Sequence, residues 1–195
     1  MKKYRYKLPK DYGIKSLKGK RKYKIYDINT RHYLRNSLKS DKKIKFSDYK
    51  IYLTYREDGG YGDFEEVYQD TKYSFILAKF GLKEKICTGK TALACVGFDC
   101  NFDNSITIKQ IQGVLGKQND LSPFRWTKML LKICVDWARD NGFKTVYVIR
   151  AEDSAWYRCD KKRSENMFMR YDVTARRSGF KFNKEEKIYY FSLIS

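Results

Sequence analysis

Between Ser105 and Val148 the apolar positions change period twice. Ile106, Ile108 and Gln110 alternate with Thr107, Lys109 and Ile111, the period of a strand. Gly113 and Gly116 open a polar loop. Ser122-Pro123 then predicts a helix start, a hydroxyl at the N-cap with proline as the first helical residue. Trp126, Leu130, Ile133, Cys134, Trp137 and Ala138 recur at steps of three and four, which gives one apolar helix face. Asn141-Gly142 supplies the left-handed stop, and Val146 and Val148 begin a second, buried strand. A strand-helix-strand unit of this length predicts a parallel, right-handed crossover. It sets the loop and the helix N-terminus at one end of the sheet, where backbone N–H groups can receive an anion.

The rest of the chain reads around this unit. Lys22 to Ile28 predicts a strand and Thr30 to Lys39 a short helix capped by Thr30. Ile44 to Arg56, Tyr73 to Phe80 and Thr91 to Cys100 predict strands, with a helical turn over Asp63 to Gln69. Short turns should join the strands before the long helix into an antiparallel meander. After Val148 comes a polar insertion, then a helix from Ser164 with Met167, Tyr171, Ala175 and Ser178 on one face, ended by Gly179-Phe180. Two last strands flank the Asn183–Glu186 turn. The fold class expected is α/β (α+β): one mixed, mostly antiparallel central sheet, parallel around the long helix.

Charge adds a second feature. The 195 residues carry a formal net charge of +19. Residues 1–50 hold 18 Lys/Arg against 4 Asp and no Glu, so +14 of it lies at the N-terminus. We therefore divide the chain into a basic Lys/Tyr-rich extension, 1–43, and a domain, 44–195. Lys2, Lys3, Tyr4, Arg5, Tyr6, Lys7, Lys18, Lys20, Arg21, Lys22, Tyr23 and Lys24 interleave cations with rings. Lysines neutralise phosphates and tyrosines stack on unpaired bases, so nucleic acid or a ribonucleoprotein is the expected partner; the plain reading is a solvated tail. Trp156, Arg158, Lys161, Lys162 and Arg163 repeat the combination in the polar insertion, where a loop anchor is the plain reading.

Other classes fall away. No apolar run approaches the roughly 20 residues of a membrane span, and the start lacks a signal peptide's apolar stretch, so a cytoplasmic protein is expected. The five cysteines form no CxxC pair and the single histidine, His32, is far from them in sequence, so no metal site is expected. Gly89-Lys90-Thr91 lacks the upstream glycine of a P-loop, with Glu84 in its place.

The chain resembles the GNAT N-acetyltransferase superfamily. ALACVGFDCNFDNSITIKQIQGV looks like the strand pair before that family's cofactor loop. KMLLKICVDWARDNGFKTVYV looks like its central helix and fifth strand, and RYDVTARRSGFKFNKEEKIYYFSL like its last helix and final strands. The resemblance covers roughly Ile44 to Ser195. It implies an acyl-CoA donor such as acetyl-CoA, bound in a V-shaped opening between the fourth and fifth strands. It implies too that backbone amides before the central helix hold the pyrophosphate and that an amine is acylated. Gly113, Val114, Gly116, Lys117, Gln118 and Asn119 are then the candidate cofactor loop, or else an ordinary polar connection.

The family's loop carries glycines directly before the helix; here Arg125 and Thr127 stand there. Its tyrosine acid falls on Ala175, with Tyr171 one turn earlier as the nearby substitute, and its strand glutamate on Gln110 or Gln112. Tyr171 and Gln112 are the catalytic candidates; a core or rim tyrosine is the alternative for the first. Two functions follow: an N-acyltransferase acting on an amine of a nucleic-acid-associated acceptor, or a catalytically silent module of the same fold that binds nucleic acid through its arm. In the second, Phe124 and Trp126 would fill the cleft.

Overall fold

In the computed structural model the described residues are 23–25, 30–39, 44–56, 60–61, 64–80, 90–154, 156–157 and 164–193. Eight strands form one sheet in the order β1 (Tyr23–Ile25), β2 (Tyr49–Tyr55), β5 (Tyr73–Phe80), β6 (Lys90–Cys100), β7 (Ser105–Gly113), β8 (Thr145–Val148), β10 (Ile188–Ser192), β9 (Lys181–Asn183). Every neighbouring pair is antiparallel except β7 and β8, which run parallel. The long helix α3 (Trp126–Asp140) is the crossover between them, as the apolar period predicts. β3 (Gly60–Tyr61) and β4 (Tyr68–Gln69) make a separate two-stranded ribbon. This is the mixed, GNAT-like sheet expected from the sequence.

One face of the sheet carries the helices. Trp137 of α3 lies among Tyr73, Phe75, Phe98 and Phe143, and Leu130, Ile133, Cys134 and Ala138 are fully buried around it. α1 (Thr30–Asn36) adds Tyr33 and Leu34 to this core, and β1 pairs with β2, so elements upstream of residue 44 belong to the sheet and its packing. On the opposite face, Phe64 and Val67 close a smaller core over Tyr52, Ile76, Ala92 and Cys95.

Four expectations are corrected. The strand expected from Ile44 starts at Tyr49, after a 3-10 turn over Phe46–Asp48. The segment Asp63 to Gln69 ends in β4 instead of a helix. Ser122-Pro123 does not open α3: a short helix α2 (Gln118–Leu121) precedes it, Ser122 ends that helix, and α3 begins at Trp126. Pro123 instead lies in a turn closed by Phe124 N–H on Leu121 O, because Phe124 is buried against Tyr49 and this stretch bridges the end of α1, with Lys39 N–H on Pro123 O and Arg125 N–H on Ser37 O.

The fourth concerns β7. Gly97 pairs with Gln110 and Phe98 with Ile108, so Lys109 is an extra, bulged residue. The bulge resets the alternation. Ile106, Ile108 and Ile111 all face the helices, and Gln110 and Gln112, on the other face, touch each other.

The second face also fixes Gly97. A Cβ there would collide with Thr71 Oγ1 and come within 2.8 Å of Gln110 Oε1. Thr71 is buried and donates to Tyr73 O at 2.9 Å, so it has no easy retreat. Gly97→Ala should therefore lower stability by about 1–3 kcal/mol, the usual cost of overpacking. The check is the urea midpoint, with Thr71→Ala added to Gly97→Ala recovering part of the loss.

Candidate functional site

β7 and β8 pair only as far as Ile108 and Val148, with a last hydrogen bond from Ile149 N–H to Ile108 O at 3.1 Å. Beyond it the chain after β8 turns away through a 3-10 turn, Ala151–Asp153. Asp172 fixes that turn: its carboxylate accepts from Ala151 N–H at 3.0 Å and from the Tyr189 hydroxyl at 3.0 Å. β7 continues to Gly113 without a strand partner on that side, and the two strands splay.

The Tyr171 hydroxyl sits in the splay. It accepts a hydrogen bond from Ile111 N–H at 2.9 Å and donates one to Lys109 O at 3.2 Å. A carbonyl and the amide two residues on share one edge of any strand; the Lys109 bulge shifts the register and so sets which edge. Tyr171 comes from a helix running through α4 (Ser164–Phe168), a π turn over Met169–Val173, and α5 (Thr174–Arg177). Burial pushes its phenol up to about 12, so it is protonated at neutral pH. π turns of this kind occur often at functional sites.

A groove of about 530 Å3 runs through the splay. Ile111, Gly113 and Tyr171 form its waist. On the helix side it is lined by Lys39, Leu121, Ser122, Trp126, Met167 and Arg170, and on the other side by Glu66, Tyr68, Gln110, Gln112 and Trp156. The waist is narrow at Gly113, where a Cβ would come within 3.2 Å of Trp126 and 3.3 Å of Leu121. Arg170 lies over the Trp126 ring, 5.8 Å from its centre. The first intrahelical bond of α3 runs from Met129 N–H to Arg125 O. The amides of Trp126, Thr127 and Lys128 therefore have no helical acceptor, the ordinary condition of a helix N-terminus.

The sequence candidates distribute unevenly over this site. Tyr171, Gln112, Gly113, Val114, Gln118 and Trp156 line the groove; Gly116, Lys117 and Asn119 do not. Lys117 N–H is taken by Val114 O, and Gly116 supplies the positive φ of +79° that the turn requires. Gln112 Oε1 accepts from Gln110 Nε2 at 2.9 Å. Trp126, read as a core residue, is a groove wall, and Phe124, read as a possible plug, is core. Lys2, Lys3, Tyr4, Arg5, Tyr6, Lys7, Lys18, Lys20, Arg21, Lys22, Arg158, Lys161, Lys162 and Arg163 lie outside the described residues. Tyr23 and Lys24 form β1.

Sequence reasoning missed Lys39, Glu66, Tyr68 and Arg170, which reach the groove from three separate segments; only the fold brings them together. Among the described residues no group of His, Cys, Asp or Glu could hold a metal ion, and no helix is long and apolar enough to cross a membrane. Cys95 and Cys100 are pushed up to about 12 and Cys134 also upward, all chiefly by burial, so none of these thiols is a thiolate at neutral pH.

No family model and no curated protein matches the chain. Solved structures similar to it include an acetyltransferase of the GNAT family from Staphylococcus aureus MU50, 14% identical with a TM-score of 0.36 over 85% of this chain and 74% of that one. A domain from Methanocaldococcus jannaschii DSM 2661 is 13% identical, with a TM-score of 0.36 over 62% and 66%. Nourseothricin acetyltransferase is 10% identical, with a TM-score of 0.26 over 73% and 63%. The chain thus spans from 63% to 74% of the length of these structures.

Tyr171→Phe removes the partner of both Ile111 N–H and Lys109 O. It should cost about 1–3 kcal/mol and speed hydrogen exchange at Ile111. The pH dependence has a fixed sign. A phenol raised from 10.0 to about 12 holds its proton more tightly in the folded state. Its contribution is complete below pH 10 and is lost as pH rises through 12. The alkaline loss of stability should be shallower in Tyr171→Phe than in the parent, read by urea titration across that range.

Proposed function

We propose that the protein is an acyl-CoA-dependent N-acyltransferase. The observation that carries the reading is the groove through the splayed strands, with a backbone amide and a neutral phenol at its waist. Its volume of about 530 Å3 falls within the range of about 300–1,000 Å3 usual for small-molecule sites.

The residues fit a donor that joins a diphosphate to a pantetheine arm. Lys39, Arg170 and the free amides at the start of α3 present positive charge on the helix side, where a diphosphate would be held. Gly113 keeps the waist open to a thin chain. Such a donor supplies an acyl thioester. Ile111 N–H and the Tyr171 hydroxyl, bonded to each other and to Lys109 O, would donate to the acyl oxygen or the departing sulfur by exchanging those partners, in the manner of an oxyanion hole.

Magnitudes decide what Tyr171 does. Proton transfer from a phenol near 12 to a thiolate of about 8.5 is uphill by roughly 5 kcal/mol. Tyr171 therefore acts as a hydrogen-bond donor that keeps its proton. Gln112 has no titratable proton at neutral pH and serves as a wall whose amide orients its neighbours. The basic N-terminal arm is the proposed contact to a nucleic-acid-associated acceptor, through phosphates and unpaired bases. The silent-module reading has one observation in its favour, the Tyr171 hydroxyl already bonded to both strand groups. The open groove beside Trp126 weighs against it.

Isothermal titration of acetyl-CoA into protein stripped of nucleic acid at high salt tests the proposal, with ADP and ATP as controls. Micromolar binding by acetyl-CoA alone is expected, weakened about tenfold by Arg170→Ala, the scale of one charge-assisted contact. No binding, or equal binding by all three, overturns it in favour of a nucleic-acid-binding module.

A further inference from the structure

The outer face of the two helices beside the groove carries charge of one sign. Residues 30–39 and 122–135 hold six Lys/Arg and no Asp or Glu. α1 and α3 are joined side by side. Lys39 N–H donates to Pro123 O at 2.9 Å, Arg125 N–H to Ser37 O at 2.7 Å, and the Tyr33 hydroxyl to Asp136 Oδ2 at 2.5 Å. Arg31 and Arg35 stand one turn apart on the exposed side of α1. Arg125, Lys128 and Lys132 follow at steps of three and four on the exposed side of α3.

Among the described residues Arg31, Arg35, Arg125 and Lys128 form no ion pair. Elsewhere cations are matched: Lys45 with Asp48, Lys79 with Asp120, Lys109 with Asp99 and Arg150 with Asp153. Asp136, the first acid along α3, is already engaged by Tyr33, Lys132 and Arg139. Like charges one turn apart destabilise a helix. The fold carries that cost with no acid of its own to offset it, which leaves the face to an anion from outside.

The layout selects the anion. Arg125 and Lys132 lie about 10 Å apart along the helix axis, more than one phosphate spans. No large apolar side chain is exposed on α1 or α3, so the face lacks the rings on which unpaired bases stack. A base-paired helix hides its bases and presents a regular array of phosphates.

We infer that the joined outer face of α1 and α3 binds the phosphate backbone of a nucleic-acid duplex through Arg31, Arg35, Arg125 and Lys128. This surface is distinct from the groove and from the N-terminal arm, and binding there does not rest on the acyltransferase reading. Lys39, at the join of the two helices, also lines the groove. A duplex held on the face therefore passes the groove mouth, and on the acyltransferase reading it brings a nucleic-acid-associated acceptor there.

The test titrates RNA and DNA duplexes of about 20 base pairs, longer than the face at about 3.4 Å per step, into the full chain at several salt concentrations. The separate single strands and acetyl-CoA are titrated in parallel. One variant combines Arg31→Gln, Arg35→Gln and Lys128→Gln. These side chains are exposed and make no ion pair among the described residues, so the urea midpoint should not fall. A second variant combines Lys181→Gln, Lys184→Gln and Lys187→Gln, which removes the same charge from the β9–β10 hairpin at the far edge of the sheet.

Both duplexes should bind alike, and more tightly than their single strands. The helix variant should weaken duplex binding about 10- to 100-fold and flatten the slope of log K against log salt by about 2–3, close to one per phosphate contact. The hairpin variant should stay within about threefold of the parent, since exposed charges are screened beyond about 10 Å at about 0.1 M salt. Equal losses in the two variants would mean that binding follows net charge, and no loss in the helix variant would assign it to the arm; either overturns the inference. Single strands that bind as tightly as duplexes overturn it as well. Duplex binding that depends on the helix face, with no acetyl-CoA binding, supports the inference and sinks the acyltransferase reading separately.

Discussion

Two strands of a sheet can part inside a protein only if their freed backbone groups find other partners. Here one phenol oxygen meets that requirement. Tyr171 accepts from Ile111 N–H and donates to Lys109 O, so a donor and an acceptor on β7 are satisfied by a single atom. Either group left buried and unpaired would cost about 1–3 kcal/mol. A serine or threonine on the same helix would be too short to reach, and phenylalanine could do neither job. The bulge at Lys109 is the second half of the device, since it shifts the register and so sets which edge of the strand that carbonyl and that amide face. Without the bulge, Ile111 would face the opposite core and its amide would point into the sheet.

The same strand region settles why glutamine occupies the place where a glutamate is expected from the family resemblance. Gln110 donates to Tyr68 O and accepts from Asp70 N–H. A carboxylate could accept but has no proton to donate at neutral pH, and it would face a buried carbonyl oxygen. The amide therefore ties the ribbon segment onto β7.

How much of this was legible follows from where each signal resides. Tyr73–Phe80, β6, α3's apolar face and the Gly142 stop were readable because local period and turn chemistry agree with the tertiary structure. The start of α3 was misread because Ser122 and Pro123 carry real capping signals, yet Phe124 has to reach the core beside Tyr49. Burial of that ring outweighed the propensity of the two residues before it. The bulge showed only as a skipped step from Ile108 to Ile111, which a strict two-residue period conceals. Tyr171 was found by helical spacing to Met167 and Ala175. Lys39, Glu66, Tyr68 and Arg170 have no shared sequence pattern, since they come from three segments that meet only after the sheet has formed.

Charge gives the arrangement a direction. The helix side of the groove carries Lys39 and Arg170, and the other side carries Glu66 with the Tyr68 and Trp156 rings. An anion and a cation entering from opposite faces would each be drawn to its own end and discouraged from the other. In water these attractions are weak and screened within about 10 Å. At the waist, where Ile111, Gly113 and Tyr171 exclude most solvent, the same charges act through a lower dielectric.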